Sequence, residues 1–145
     1  MVQFRAYAVG ESRGELAVLK FFGYTVPRRF GTYSIPISIQ SAYLRHFAAG
    51  HGAQFALPIT EFYIPGNYTG LLRLISSPDV KHIVCVSIYV FDGLSSCKAV
   101  NNQFIGREDI KVWCALENEV SSPSGTLSRL EHFRSLVKYS GLNVV

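Results

Sequence analysis

Apolar runs of strand length recur four times in this chain, and each stops at a polar or charged residue. Lys20–Val26 ends at Pro27-Arg28-Arg29, Gln54–Ile59 at Thr60-Glu61, His82–Phe91 at Asp92, and Ile110–Leu116 at Glu117-Asn118-Glu119. Segments of helical spacing lie between them, and that alternation implies parallel strands joined by right-handed crossovers. Val80–Phe91 is apolar almost throughout, the pattern of a strand covered on both faces. The expected architecture is an α/β three-layer sandwich whose mostly parallel, four- to five-stranded sheet has the order 2-1-3-4.

The helical segments follow from periodicity. Ile35–Ala49 repeats Ile35, Ile39, Ala42, Tyr43, His46 and Phe47 at intervals of three and four, which predicts a helix with those residues inward. Pro36 suits its first turn, and Gly50 and Gly52 its end. Asn67–Ser76 carries Leu71, Leu72 and Ile75, whereas Ser95–Gly106 is weakly patterned. Ser122–Ser140 opens at Pro123 and places Leu127, Leu130, Phe133, Leu136 and Val137 on one stripe. Ser128 and Glu131 also have capping-box spacing, which would start that helix later. The chain reads as one domain. Residues 1–19 form an extension or an edge strand, residues 20–120 the core, and residues 121–145 a C-terminal helix.

A chain of 145 residues buries roughly 70% of its unfolded surface. Hydrophobic content of 48% against 17% charged excludes a disordered polymer. The net charge of +4 comes with no basic run beyond Arg28-Arg29, which suits an anionic small molecule and argues against nucleic acid. Cys85, Cys97 and Cys114 have neither disulfide-framework nor metal-ligand spacing, and the first and last of these fall in apolar strands. No leader pattern and no apolar stretch of about 18–20 residues is present, so a cytoplasmic protein without membrane contact is expected. A Gly-rich phosphate loop and a Gly-x-Ser-x-Gly elbow are both missing, and no cofactor is assigned.

If the strands are parallel, their carboxyl ends share one edge, where such sheets hold ligands. Arg28 and Arg29, ahead of a helix start, would form an anion site there, or would pair with Glu61 and Glu117. Arg45 is grouped with them. Glu61, Asp92 and Glu117 would meet at the same edge, and clustered carboxylates hold a cation or divide into acid and base. Glu61 and Glu117 are the stronger candidates, since Asp92-Gly93 reads as a turn. Tyr24, Tyr33, Tyr63 and Tyr68, with Gln40 and Asn67, can position a sugar ring or simply pack in the core. His46 lies on the apolar side of its helix and reads as a core residue. His51, His82 and His132 sit at element ends without zinc spacing, so no metal site is expected.

Gly23-Tyr24, Arg29-Phe30-Gly31, Ile35-Pro36-Ile37-Ser38-Ile39-Gln40 and Leu44-Arg45 resemble a family of short proteins called sporadic carbohydrate cluster proteins. The resemblance continues through Leu57-Pro58, Glu61, Pro65, Tyr68, Leu72 and Ser87 to Ala115-Leu116-Glu117. It implies a place in surface-polysaccharide gene clusters and a sugar-derived substrate, with no reaction attached. Asp92-Gly93 and Cys97–Ile110 depart from the pattern. More distantly, the element order, the glutamine in the first helix and the glutamate after the second strand resemble the flavodoxin-like catalytic domain of serine recombinases. That family carries its nucleophile as Tyr-x-Arg-x-Ser after the first strand. Here the matching offsets from Tyr24 hold Val26 and Arg28.

Two functions are therefore expected as alternatives. In the first, a protein of surface-carbohydrate biosynthesis binds or transforms an anionic sugar or sugar phosphate. Arg28, Arg29 and Arg45 would hold the anion, Tyr33, Gln40 and Tyr68 the ring, and Glu61 and Glu117 would supply acid–base chemistry. In the second, a recombinase-like scaffold without a nucleophile acts as a dimeric partner, either as a homodimer or in complex with a biosynthetic enzyme.

Overall fold

The structure, a computed structural model, describes residues 18–27, 29–30, 34–61 and 67–140, the last four by backbone alone. Strands β1 (Lys20–Thr25), β2 (Gln54–Thr60), β3 (His82–Cys85), β4 (Lys111–Cys114) and β5 (Glu119–Ser121) form one sheet in the order β2-β1-β3-β4-β5. The first four are parallel, and β5 runs antiparallel to β4. Helices α1 (Ile37–Gly50), α2 (Thr69–Ser76), α3 (Lys98–Ile105) and α4 (Pro123–Ser140) pack on the two faces. The parallel order 2-1-3-4 is the expected one. The fifth strand is the return leg of a hairpin after β4, while the extension over residues 1–17 lies outside the described residues.

Strand register sorts the core. Phe21 and Gly23 share a face with Phe55, Val84 and Trp113, and α1 covers it, with the Phe47 ring 6.3 Å from that of Phe21. On the opposite face Tyr24 stacks on Phe91 at 6.1 Å, and Phe91 on Phe104 of α3 at 5.2 Å. Such aromatic pairs contribute about 0.5–1.5 kcal/mol each beyond the apolar area they bury. Gly23 sits opposite the register shift in β2, where a Cβ would come within 2.9 Å of the Phe55 ring and 3.0 Å of Pro58. Close approach of the two strands requires the missing side chain there.

Three elements differ from the periodicity. The third run leaves the sheet at Cys85, and Ile88–Phe91 forms a 3₁₀ turn. The Ser87 hydroxyl oxygen accepts the Tyr89 amide and Glu117 accepts the Ile88 amide, so the backbone donors leave the ladder for side-chain acceptors. The fourth run stops at Cys114, and Asn118, with φ 55°, turns the chain into β5. In α1 the buried residues are Gln40, Leu44 and Ala48; Ile39 and Tyr43 are 55% and 38% exposed, and His46 is exposed, not a core residue. The last helix starts at Pro123, with Ser122 accepting the Gly125 amide at 3.1 Å, which settles the start in favour of Ser122 over Ser128.

Arg107 ties α2 to the start of β3 and to the turn before β4. Its guanidinium donates to the carbonyls of Ile75 (2.6 Å), Ser77 (3.1 Å) and Val80 (2.9 Å), and to both oxygens of Asp109. Hydrogen bonds from Arg107 and then Lys81 hold the Asp109 carboxyl well below the usual carboxylate range. Arg107→Ala would leave those carbonyls without their donor, and it is expected to lower unfolding free energy by about 2–3 kcal/mol. Arg107→Lys, a point charge without the fork, should recover less than half of that loss. Urea denaturation of the three proteins measures both.

Candidate functional site at the carboxyl edge of the sheet

Glu61 follows β2 directly and is 3% exposed. One carboxylate oxygen accepts the Gly70 amide at 2.8 Å, and the other accepts the Leu71 amide at 2.9 Å and the Tyr24 hydroxyl at 2.6 Å. The first turn of α2 offers unpaired amides and the positive end of its dipole, so a carboxylate is well matched to it. Tyr68, at the N-cap position, supplies no side-chain cap, and Asn67 takes the Thr69 amide and hydroxyl. Gly70 has no side chain because a Cβ there would lie 2.8 Å from Ile59 Cγ2 and 3.1 Å from Glu61 Oε1.

Glu117 is placed by the turn after β4 and does related work. It accepts the Ser87 hydroxyl at 2.8 Å on one oxygen and the Ile88 amide at 2.9 Å on the other. Gln40 is fully buried. Its amide donates to the carbonyls of Val26 (2.7 Å) and Ile35 (2.8 Å), and its oxygen accepts the Val26 amide at 3.3 Å, bridging the two ends of the loop that leaves β1. Tyr68 donates to the Asp92 carbonyl at 3.1 Å. Gln40, Glu61, Tyr68 and Glu117 thus reach the edge expected of them, each with its polar atoms on the protein.

The basic candidates do not share that position. Arg29 is exposed beside buried Phe30, whereas Arg28 and Tyr33 lie outside the described residues, as does Tyr63. Arg45 sits in the second half of α1 with its guanidinium 5.4 Å from the centre of the Phe55 ring. Phe55 is the second residue of β2, so Arg45 lies toward the amino ends of the strands, away from Glu61. Tyr24 is fully buried, as its core-packing alternative required. Among the described residues no group of three or more His, Cys, Asp or Glu side chains is placed to hold a metal ion.

Sequence reasoning missed a cleft of about 180 Å³ between the turn after β3 and α4, lined by Phe91, Asn101, Leu127, Leu130, Glu131 and Arg134, among others. Arg134 pairs there with Asp92 and, at 3.2 Å, with Glu131. The Asp92 hydrogen bond is the main reason the guanidinium is held still more firmly in its charged form. Nothing in the sequence signals a pair 42 positions apart. The i,i+3 spacing of Glu131 and Arg134 was visible, but is common on helix surfaces. Cys85 and Cys114 face each other on β3 and β4 with sulfurs 3.9 Å apart, and burial pushes the Cys85 thiol well up, which keeps it protonated and unreactive.

The chain matches no protein-family model and no curated protein, so the carbohydrate-cluster resemblance rests on the quoted residues alone. Among solved structures it is similar to the N-terminal catalytic domain of TP901-1 integrase, with a TM-score of 0.56 and 16% identity over 83% of this chain and 99% of that one. It is also similar to a resolvase family site-specific recombinase from Streptococcus pneumoniae, with a TM-score of 0.51 and 14% identity over 86% of this chain and 93% of that one. At these identities the likeness establishes the fold, that of recombinase catalytic domains. Among the described residues no helix is long and apolar enough to cross a membrane.

Glu61 is expected to behave as a helix anchor. Glu61→Gln places an amide donor against one of two backbone donors, and Glu61→Ala removes the acceptors altogether. Each should lower unfolding free energy by about 2–4 kcal/mol, with the alanine variant the weaker protein. Chemical denaturation, paired with Tyr24→Phe in a double-mutant cycle, should give a coupling between the two residues well above zero.

Proposed function

We propose that this chain is a non-enzymatic domain of recombinase-like fold that acts by binding a protein partner. The observation that carries the reading is the state of the carboxyl edge. Glu61, Glu117, Gln40 and Tyr68 already bond to the protein's own backbone and hydroxyl groups. A general acid or base needs an oxygen within reach of substrate; Glu61 is 3% exposed, and each Glu117 oxygen already accepts a bond from the protein, which supports a structural role for both. The offsets where the recombinase pattern places its arginine and serine hold Val26, which is buried, and Arg28.

The surface of α1 suggests how a partner would be held. Ile39 and Tyr43, one helical turn apart, are exposed on one flank, with His46 following them. The helix Ile37–Gly50 contains no acidic residue and carries one cation, Arg45. An apolar contact edged by positive charge fits a protein whose own contact face is apolar with a carboxylate rim.

Co-purification from the native host tests this. Wild type is expected to retain one stoichiometric partner, and Ile39→Asp/Tyr43→Asp, with unchanged circular dichroism, to lose at least about tenfold of it. Calorimetry with sugar phosphates should give no heat. Heat that disappears in Arg28→Ala/Arg29→Ala would overturn the proposal in favour of an anionic-sugar ligand. Strongly salt-dependent DNA retention, or nicking of supercoiled plasmid, would overturn it in favour of nucleic acid.

A further inference from the structure

At the amino end of the sheet, away from the carboxyl edge, two histidines meet the chain's single tryptophan. Trp113 of β4 donates its indole N–H to Nδ1 of His82 at 3.2 Å, and the two residues come from neighbouring strands. His51, just after α1, lies with its ring centre 5.4 Å from that of Trp113 and 4.4 Å edge-on from that of Phe47. Phe21 completes the cluster, 4.9 Å from Trp113, 5.9 Å from His82 and 6.1 Å from His51. The far end of α1 is therefore seated on the sheet through an aromatic group that contains two imidazoles.

We infer that His82 and His51 form an acid-sensitive clasp on Trp113, which holds the C-terminal end of α1 to the sheet at neutral pH and loosens when the imidazoles take up protons. The chemistry turns on Nδ1 of His82. In the neutral ring that nitrogen accepts the indole proton; in the imidazolium it carries a proton of its own and faces the indole N–H donor to donor.

Of the charges around the cluster, Lys111 disfavours a further positive charge on His82. Lys111 is the register partner of His82 on β4. On the chain itself Lys81 precedes His82, and its ammonium is held by Asp109 at 2.9 Å. From β1, the Lys20 ammonium lies over the Phe22 ring on the other face of the sheet. From the end of α1, the second imidazole is His51. Burial, and then Lys111, hold the His82 pKa below its ordinary value, and burial does the same for His51. For a group lowered in the folded state, the unfolded chain binds the proton first. The stabilisation is therefore present above about pH 6.5, and it is lost as pH falls through that value toward the lowered folded one.

Trp113 reports the event directly, because an imidazolium in contact quenches indole emission and no second tryptophan obscures it. Emission of the intact chain is expected to fall between pH 8 and pH 5 with a midpoint below about 6.5, together with faster amide exchange in the last turn of α1. His82→Gln, whose amide oxygen can accept the indole N–H without titrating, should lose the larger part of the transition, and His82→Gln/His51→Phe all of it. Flat emission in the wild type, or an unchanged transition in the double variant, would overturn the inference. If the double variant does not fold, imidazole proton shifts of the wild type decide: two of the four histidines should titrate below the ordinary value, and four ordinary titrations would refute the clasp.

Discussion

A parallel sheet leaves the backbone at its carboxyl edge with donors that no neighbouring strand can take, and every crossover helix adds the free amides of its first turn. In this protein one carboxylate, Glu61, resolves much of that problem: it gathers the Gly70 and Leu71 amides and the Tyr24 hydroxyl in a site closed to water. Because Tyr24 belongs to β1, Glu61 to the end of β2 and the amides to α2, the group fixes three elements at once. Glu117 repeats the device for the turn after β3, and Gln40 repeats it for the loop after β1. A buried, charge-assisted set of bonds of this kind is costly to break from either side, since removing one partner leaves the others desolvated and unpaired.

The same economy bears on function. Glu61 and Glu117, which look catalytic by type, accept amides of the protein's own backbone, and those bonds hold α2 and the turn after β3 in place. The fold is shared with recombinase catalytic domains, and fold alone does not carry an activity. Apart from that edge, the described residues include the exposed outer flank of α1, the charged cleft at Arg134, and the histidine pair at the opposite end of the sheet.

Rotation of α1 explains why its outer flank is apolar. Clamping Val26 and Ile35 requires a buried amide side chain at position 40. Once Gln40 faces the sheet, Leu44 and Ala48 follow it inward, and Ile39 and Tyr43 turn toward solvent. Hydrophobic periodicity alone favoured the other rotation, since it gives a glutamine no reason to be inside. The hydrogen bonds supply that reason, and a buried polar side chain with each of its polar atoms bonded is tolerated in a core.

Periodic burial was legible without coordinates. The four parallel strands, the helices between them and the approach of Glu61, Glu117, Gln40 and Tyr68 to one edge follow from apolar runs, Pro and Gly signals and crossover handedness, all of which act over short spans of chain; the strand order was expected with the recombinase-like resemblance. Tertiary structure alone decided the rest. It chose which face of α1 is buried, where β3 gives way to a turn, which glutamate binds which amide, and that Arg134 meets Asp92 and His82 meets Trp113. These outcomes depend on hydrogen-bond partners tens of residues apart, and a one-dimensional pattern of polarity does not encode a donor's choice among distant acceptors.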